Sequence, residues 1–473
     1  MQSFRLRNIK GFPDSGSFEI KPITVIIGRN SSGKSSLIRF PLVLKQTVQE
    51  SVSPFLSFGR YIDYGNFEDV VFNHDTNLNI SFDIEINSEK FLYLLKRTYI
   101  PYKISKLKEA FYIENKKLII HVEVGKPKKV SKSKEGLKVK KFQILLGDDN
   151  IISCDENDTL YDVNVMDRKF GKYSLQFDSF IPNINYMDLE PSVNNTESEY
   201  KEELIYMVRA ITRAVQMYLS TLCDNISYIG PFRKIPERSY RYKEANLENV
   251  GFDGQYTAEI LASYYRRSDT KFFENINEWL NKHLGMKLTV EDLKGDLYKI
   301  LIKDLETNVN NNIIDVGFGL SQVLPIIVQV FMNKHYDTKT IRQNYTRRFL
   351  NKKLNIIEQP ELHLHPSAQA NLADLFIEGH KIDKKNYFLI ETHSEHLILR
   401  LRRRILEDKI NPNDVGLYFI EKRSNNDSCV QKLHLDEFGN ISNWPEGFFD
   451  ENFNEIMKIK SILLKKRNEQ IEW

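Results

Sequence analysis

Gly28-Arg29-Asn30-Ser31-Ser32-Gly33-Lys34-Ser35 fits the spacing G-x-x-x-x-G-K-[ST]. In a loop of this kind the glycines let the backbone wrap a phosphate and aim N–H donors inward, while the following helix N-terminus adds a favourable dipole. The lysine then pairs with the β- and γ-phosphates and the serine ligates Mg²⁺. Asn30, Ser31, Ser32, Gly33, Lys34, Ser35 and Ser36 are therefore expected to line a nucleoside triphosphate. Two later segments could supply the rest of the chemistry. Leu354-Asn355-Ile356-Ile357-Glu358 is an apolar run closed by a carboxylate, suited to holding Mg²⁺ opposite Ser35, and Gln359-Pro360-Glu361 follows it. Phe388-Leu389-Ile390-Glu391-Thr392-His393-Ser394 is another apolar run ending in polar residues, with His393 expected to reach a γ-phosphate. Between the glycine loop and these runs lies Asp315-Val316-Gly317-Phe318-Gly319-Leu320-Ser321-Gln322, directly before an apolar helical pattern. Gly319, Ser321 and Gln322 can either cap that helix or present donors to a second nucleotide.

The elements that must position these residues follow from periodicity. FEIKPITVIIG (18–28) is an apolar β-branched run stopping at Gly28, and LIRFPLVLKQTVQES after the loop has helical spacing, with Pro41 expected to kink it. FRLRNI (4–9) with the turn-rich GFPDSGS reads as an edge hairpin. From residue 313 strands and helices alternate again, as in a mostly parallel sheet. The expected fold class is therefore α/β: a P-loop head with a mostly parallel sheet, split by a long insertion. Residues 1–77 and 301–425 form its two pieces, 78–195 a β-rich insertion, 196–300 an α-helical arm and 426–473 a C-terminal tail. Within the insertion, residues 125–141 carry eight lysines against one glutamate. This run reads as a mobile hairpin tip, either merely solvated or neutralising DNA phosphates.

Composition bounds the alternatives. The 473 residues carry 67 Lys+Arg against 64 Asp+Glu, a net charge of +3, so any nucleic-acid surface must be a local patch. Three widely spaced cysteines argue against a disulfide framework or zinc ribbon and for a reducing, cytoplasmic setting. The N-terminus has no apolar leader pattern, and the longest apolar stretch, 313–332, is interrupted by Asp315, Gln322, Pro325 and Gln329. No membrane span is expected. His363 and His365, two residues apart, do not share a helix face and are not read as zinc ligands. Arg400, Arg402, Arg403 and Arg404 read mainly as a solvated helix face, with DNA or partner contact as the alternative, and Arg233 either as a structural turn residue or a nucleotide contact.

Taken in order, the P-loop, the long insertion, the Gly317–Gln322 loop, EQPELHLHP and ETHSEHL resemble the ABC-type ATPases of the RecF, SMC and OLD group. YIGPFRKIPERSYRY (228–242), GFDGQYTAEIL (251–261) and NWPEGFFDE (443–451) are similar, within that group, to AAA-labelled prokaryotic ATPases linked to phage defence, of which the Septu and PARIS ATPase subunits are the nearest by architecture. The resemblance implies ATP and Mg²⁺ as ligands, with Ser35 and Glu358 at the metal. It implies head-to-tail pairing of two heads, with ATP between the P-loop of one and Gly319, Ser321 and Gln322 of the other. It also implies a separate effector, a nuclease, because no nuclease constellation and no TOPRIM-sized segment follows the ATPase pieces. The alternative is a RecF-like clamp that closes on DNA. One departure bears on turnover: where the group usually has a catalytic glutamate, this chain has Gln359. A glutamine cannot accept the attacking water's proton. Either Glu361 takes over, or an ATP-bound dimer persists as a signal, or Gln359 only positions the water.

Overall fold

The computed structural model describes residues 1–98, 116–127, 136–183, 195–243, 247–339, 352–423 and 427–445. At its centre is a six-stranded sheet in the order Ile226–Ile229, Lys353–Glu358, Asn386–Glu391, Ile23–Gly28, Val415–Lys422, Ser428–Leu433. The first five strands are parallel and the last is antiparallel. Both faces are covered, which is why these strands read as unbroken apolar runs rather than alternating ones. Successive side chains enter different cores, as the two-residue period of a strand requires. Ile23, Val25 and Ile27 point into one cluster and Ile26 into the other; Ile357, Ile390 and Phe419 oppose Ile356, Leu389 and Tyr418 in the same way.

The first core is shared with a nine-stranded antiparallel sheet and with the helix Asn195–Asp224. The second lies under the helices Thr257–Arg266, Thr270–Leu284, Phe318–Lys339, Pro366–Ile382 and Glu395–Leu406. "Mostly parallel" therefore describes the central sheet and not the molecule. Strand pairing also crosses the divisions expected from sequence. Ser3–Ile9, expected at an edge, pairs with Phe12–Asp14 and Phe18–Glu19 on one side and Ile80–Ile86 on the other. Its alternating burial left both backbone edges open to partners, so the N-terminal strand and the β-rich segment share one sheet across residue 77. Residues 196–300, expected as a helical arm, contribute Ile226–Ile229 to the central sheet and the hairpin Met286–Leu293/Leu297–Asp304 to a third. Ile226–Ile229 is only four residues long, too short for periodicity to reveal.

Leu118–Gly125 and Lys138–Leu146 pair from Gly125↔Lys138 onward, so the lysine-rich run does lie on a hairpin. Its tip, 128–135, falls outside the described residues, as does the tail from 446. No helix among the described residues is long and apolar enough to cross a membrane.

Two of the arginines assigned to a solvated face are half-buried and paired instead. Arg400 and Arg404 lie one turn apart on Glu395–Leu406 and both reach Asp374 of the packed neighbouring helix, at 2.6 Å from Arg400 Nη1 and 2.5 Å from Arg404 Nε. Arg402 donates through Nε to the Gly439 carbonyl. Asp374 is buried, and helical spacing by itself could not reveal a carboxylate arriving from another element. Burial would raise the Asp374 carboxyl, but Arg404 and Arg400 hold it below its ordinary 3.8. The stability linked to this pairing is thus present above about pH 4 and is lost as pH falls through the lower folded-state value. Asp374→Asn, which leaves two guanidinium groups without their charge partner, should lower the unfolding free energy by about 3 kcal/mol at neutral pH. Urea titrations at pH 7 and pH 3 check this, with a smaller difference from the parent protein expected at the acid end.

Candidate nucleotide-binding site

The glycine loop leaves the central strand at Gly28, whose φ is +150° and where an added Cβ would meet the Ile420 carbonyl oxygen at 2.1 Å. Only glycine fits. Gly33, at φ +103°, ends the loop and hands it to the helix Lys34–Ile38. Asn30 and Ser31 are exposed, whereas Ser32 is buried with its hydroxyl unpartnered among the described residues. Lys34 is buried and folds back across the loop, donating to the Gly28 carbonyl at 3.0 Å and the Arg29 carbonyl at 2.6 Å. Burial pulls its pKa down and the charge of Glu391 opposes that pull.

Pro41 acts as its chemistry requires. With no N–H to donate into a continuing helix, it sits in the first turn of a second helix, Phe40–Glu50, and the break falls at Arg39. Arg39 thereby projects toward the acidic strand ends. It grips Glu358 with both arms, Nε to Oε1 at 2.6 Å and Nη2 to Oε2 at 2.5 Å, and Tyr228 donates its hydroxyl to the same Oε1 at 3.0 Å. Such a forked guanidinium–carboxylate pair is among the stronger charge-assisted contacts in proteins.

Glu358 and Glu391 are register partners at the ends of adjacent parallel strands, and both are buried. Ser35, which the motif pairs with Glu358, donates its hydroxyl instead to Glu391, with 3.2 and 3.1 Å to the two carboxylate oxygens. Burial and the neighbouring Glu358 charge push the Glu391 carboxyl up to about 7. Glu391, Arg39 and Tyr228 are the site residues that sequence reasoning missed. Two were discoverable: Glu391 closes an apolar strand as Glu358 does, and Arg39 lies one helical turn beyond Ser35. Tyr228 carried no such signal.

The turn after Glu358 is tightly held. Gln359 adopts φ +44° and its N–H donates to the Glu391 carbonyl at 2.7 Å. Arg233, 6% exposed, donates to the carbonyls of Glu358 at 2.7 Å and Gln359 at 3.0 Å, and burial lowers its guanidinium to about 10. Of the two roles open to it from sequence, it thus has a structural one. Glu361 is buried, its carboxyl raised by that burial, and its Oε1 accepts from the His393 N–H at 2.6 Å. It therefore braces the two acidic turns together. His393 is half-buried, and burial with nearby Lys34 lowers its pKa, favouring the neutral imidazole.

The Gly317–Gln322 segment is placed against this turn. Gly319 packs so close to the His363 carbonyl that a Cβ would lie 2.8 Å from its oxygen, and the Phe318 and His363 rings meet edge to face at 4.8 Å. Ser321, expected to offer its hydroxyl outward, is buried and bonds its own helix at the Phe318 carbonyl. Gln322 is also buried, with Nε2 unpartnered among the described residues. The outward-facing side chain of the segment is Phe318. A hydroxyl three residues into a helix has a backbone carbonyl within reach, which competes with any outside ligand.

The donor set fits a magnesium–triphosphate group: hard oxygen ligands at Ser35, Glu358 and Glu391, a buried lysine, and an unpaired hydroxyl at Ser32 inside a loop with no room for side chains at Gly28. A glycine loop on one parallel strand, facing carboxylates at the ends of the adjacent strand and of the strand beyond it, is the arrangement of a P-loop domain. The family model described as AAA ATPase domain matches residues 1–398, and the chain belongs to that family. A second model, described as a protein of unknown function (DUF3696), matches residues 410–459. No curated protein matches the sequence. Among solved structures, the chain is similar to an SMC head bound to the C-winged helix domain of ScpA, at 14% identity and TM-score 0.41, covering 92% of this chain and 98% of that one. It is similar to the SMC head domain from Thermotoga maritima at 10% identity and TM-score 0.38, covering 91% and 98%. For the Pyrococcus furiosus SMC head with an extended coiled coil, bound to the C-terminal domain of ScpA, the figures are 12%, 0.37, 92% and 96%.

Arg233→Lys keeps a charge but loses the fork that satisfies two buried carbonyls. It should cost about 1–3 kcal/mol of stability, read as a lower urea midpoint.

Proposed function

We propose that this chain is an ABC-type ATPase of the RecF, SMC and OLD group that binds Mg·ATP, pairs head to tail with a second copy and hydrolyses ATP slowly. The observation that carries this reading is the convergence of Lys34 and Ser35, on the glycine loop, with the two buried carboxylates at the neighbouring strand ends. On binding, Lys34 exchanges the carbonyls of Gly28 and Arg29 for phosphate oxygens, and the loop N–H groups, with Ser32, cradle the phosphates. The residues Asn30 to Ser36 form that cradle, and Ser35 with an acid at the strand ends holds Mg²⁺. The ion's role is to neutralise charge developing on the phosphate oxygens. His393, as a neutral imidazole, contacts the γ-phosphate. Gln359 orients water without accepting its proton, and Glu361, engaged with the His393 backbone, positions rather than deprotonates.

In the dimer the exposed Phe318 end of the Gly317–Gln322 segment faces the partner's nucleotide, and Gly319, Ser321 and Gln322 shape it. The resemblance to the Septu and PARIS ATPase subunits supports a role in cytoplasmic anti-phage defence, in which the ATP-bound dimer regulates a separate nuclease effector. DNA contact through the lysine-rich hairpin belongs to the alternative RecF-like reading.

Lys34→Ala should abolish binding of a fluorescent ATP analogue and, with it, the ATP-dependent doubling of mass that the parent chain is expected to show in light scattering. Retained analogue affinity would remove the P-loop assignment. Gln359→Glu, which restores a proton acceptor, should raise steady-state phosphate release by about 10²-fold.

A further inference from the structure

We propose that the exposed apolar residues Phe232, Ile235 and Phe252 form the surface on which a second copy of this chain closes when two heads pair around ATP. The inference rests on the head-to-tail reading above and deepens it by naming the contact that holds the pair together.

The patch is built on loops at the nucleotide end of the central sheet. Ile229 is the register partner of Ile357, so the chain leaves Ile226–Ile229 at the end of the sheet where Glu358 stands. Arg233 then turns inward to the carbonyls of Glu358 and Gln359, while Phe232 beside it stays 86% exposed. A second loop is tied to this one through the backbone. The Gly230 N–H donates to the Phe252 carbonyl at 2.7 Å and the Lys234 N–H to the Asp253 carbonyl at 2.8 Å. Phe252 and Ile235 are exposed as well. Ile235 shares a hollow with Ser321, Leu324 and Pro325, which carries the apolar surface to the start of the helix Phe318–Lys339, where Phe318 is exposed in turn. Single apolar side chains in water need no explanation, but several on adjoining loops mark a surface that associates.

Two observations select the occupant. Charge argues against nucleic acid, because a phosphate-binding surface needs cations left over. Around the patch they are paired: Lys234 with Glu237 and Arg238 with Asp315, each at 2.7 Å, and Arg233 is committed to two carbonyls. Continuity then points to a second copy. The apolar surface runs from the turn after Glu358 to the Gly317–Gln322 segment, so a partner that brings its glycine loop to that segment must cover the loops beside it. The exposed residues of that glycine loop, Asn30 and Ser31, are polar. Buried aromatic side chains carry much of the affinity at protein interfaces, and on this side Phe232 and Phe252 are placed to supply it.

The test uses the full chain with a non-hydrolysable ATP analogue and Mg²⁺, read as the concentration dependence of mass in light scattering. Phe232→Asp should weaken pairing by about a hundredfold and Phe232→Ala/Phe252→Ala by about tenfold or more, while Phe232→Leu, which keeps an apolar side chain, should cost less than about threefold. Analogue affinity, measured at concentrations where the parent chain is monomeric, should be unchanged in every variant, which also shows that each is folded. Phe438→Asp, at an exposed phenylalanine in the turn that packs on Arg402, should leave pairing unchanged. If the parent chain pairs, undiminished pairing in Phe232→Asp or an equal loss in Phe438→Asp would overturn the inference alone. A parent chain that binds the analogue and stays monomeric would overturn it together with the head-to-tail reading. One that fails to bind the analogue would remove the nucleotide reading beneath both.

Discussion

Two carboxylates ending neighbouring parallel strands, both taken out of water, are the constraint around which this site is built. Like charges side by side in a low-dielectric interior cannot both stay ionised without compensation. The chain answers each differently. Arg39 and Tyr228 close on Glu358, while Glu391 has a hydrogen bond from the Ser35 hydroxyl and the more distant charges of Lys34 and Arg39, and its carboxyl rises to about 7. The asymmetry distinguishes two residues that strand pattern alone would treat as equals. It also links the acidic strand ends to the glycine loop, since Arg39 and Ser35 stand on the same short helical segment one turn apart.

That link depends on assembly of the central sheet. Ile23–Gly28 lies between Asn386–Glu391 and Val415–Lys422, so a strand from the beginning of the chain is sealed between two from its last quarter. Apolar residues on both faces make this placement strongly specified, because a one-residue slip would exchange the side chains of the two cores. The supporting contacts around the site then act as braces. Arg233 ties down the turn after Glu358, and Glu361 holds the His393 backbone. These contacts fix where the acids and the histidine stand.

Much of the architecture was legible in sequence. The P-loop spacing, the apolar runs ending at Gly28, Glu358 and Glu391, and the proline-induced break after Ser35 all follow from local rules: left-handed backbone at glycine, unbroken apolar runs in doubly covered strands, and no N–H at proline. The misreadings share one cause. The edge assignment for Ser3–Ile9, the helical arm at 196–300 and the solvated face at Arg400 and Arg404 each judged an element by its own periodicity. Ile80–Ile86, the parallel partner of Ile226–Ile229, and Asp374 all come from elsewhere in the chain.

By itself, then, the amino-acid order determined that a phosphate-type loop follows a buried strand, that two further buried strands end in glutamates, and that the helix after the loop must break near Pro41. Those properties reside in neighbouring residues and their backbone limits. Which glutamate faces Ser35, which one Arg39 takes, and that Ser321 turns inward were decided only by tertiary structure. Strand order, and the competition between nearby polar groups for one another, are set by contacts between residues hundreds of positions apart, and no local pattern encodes them.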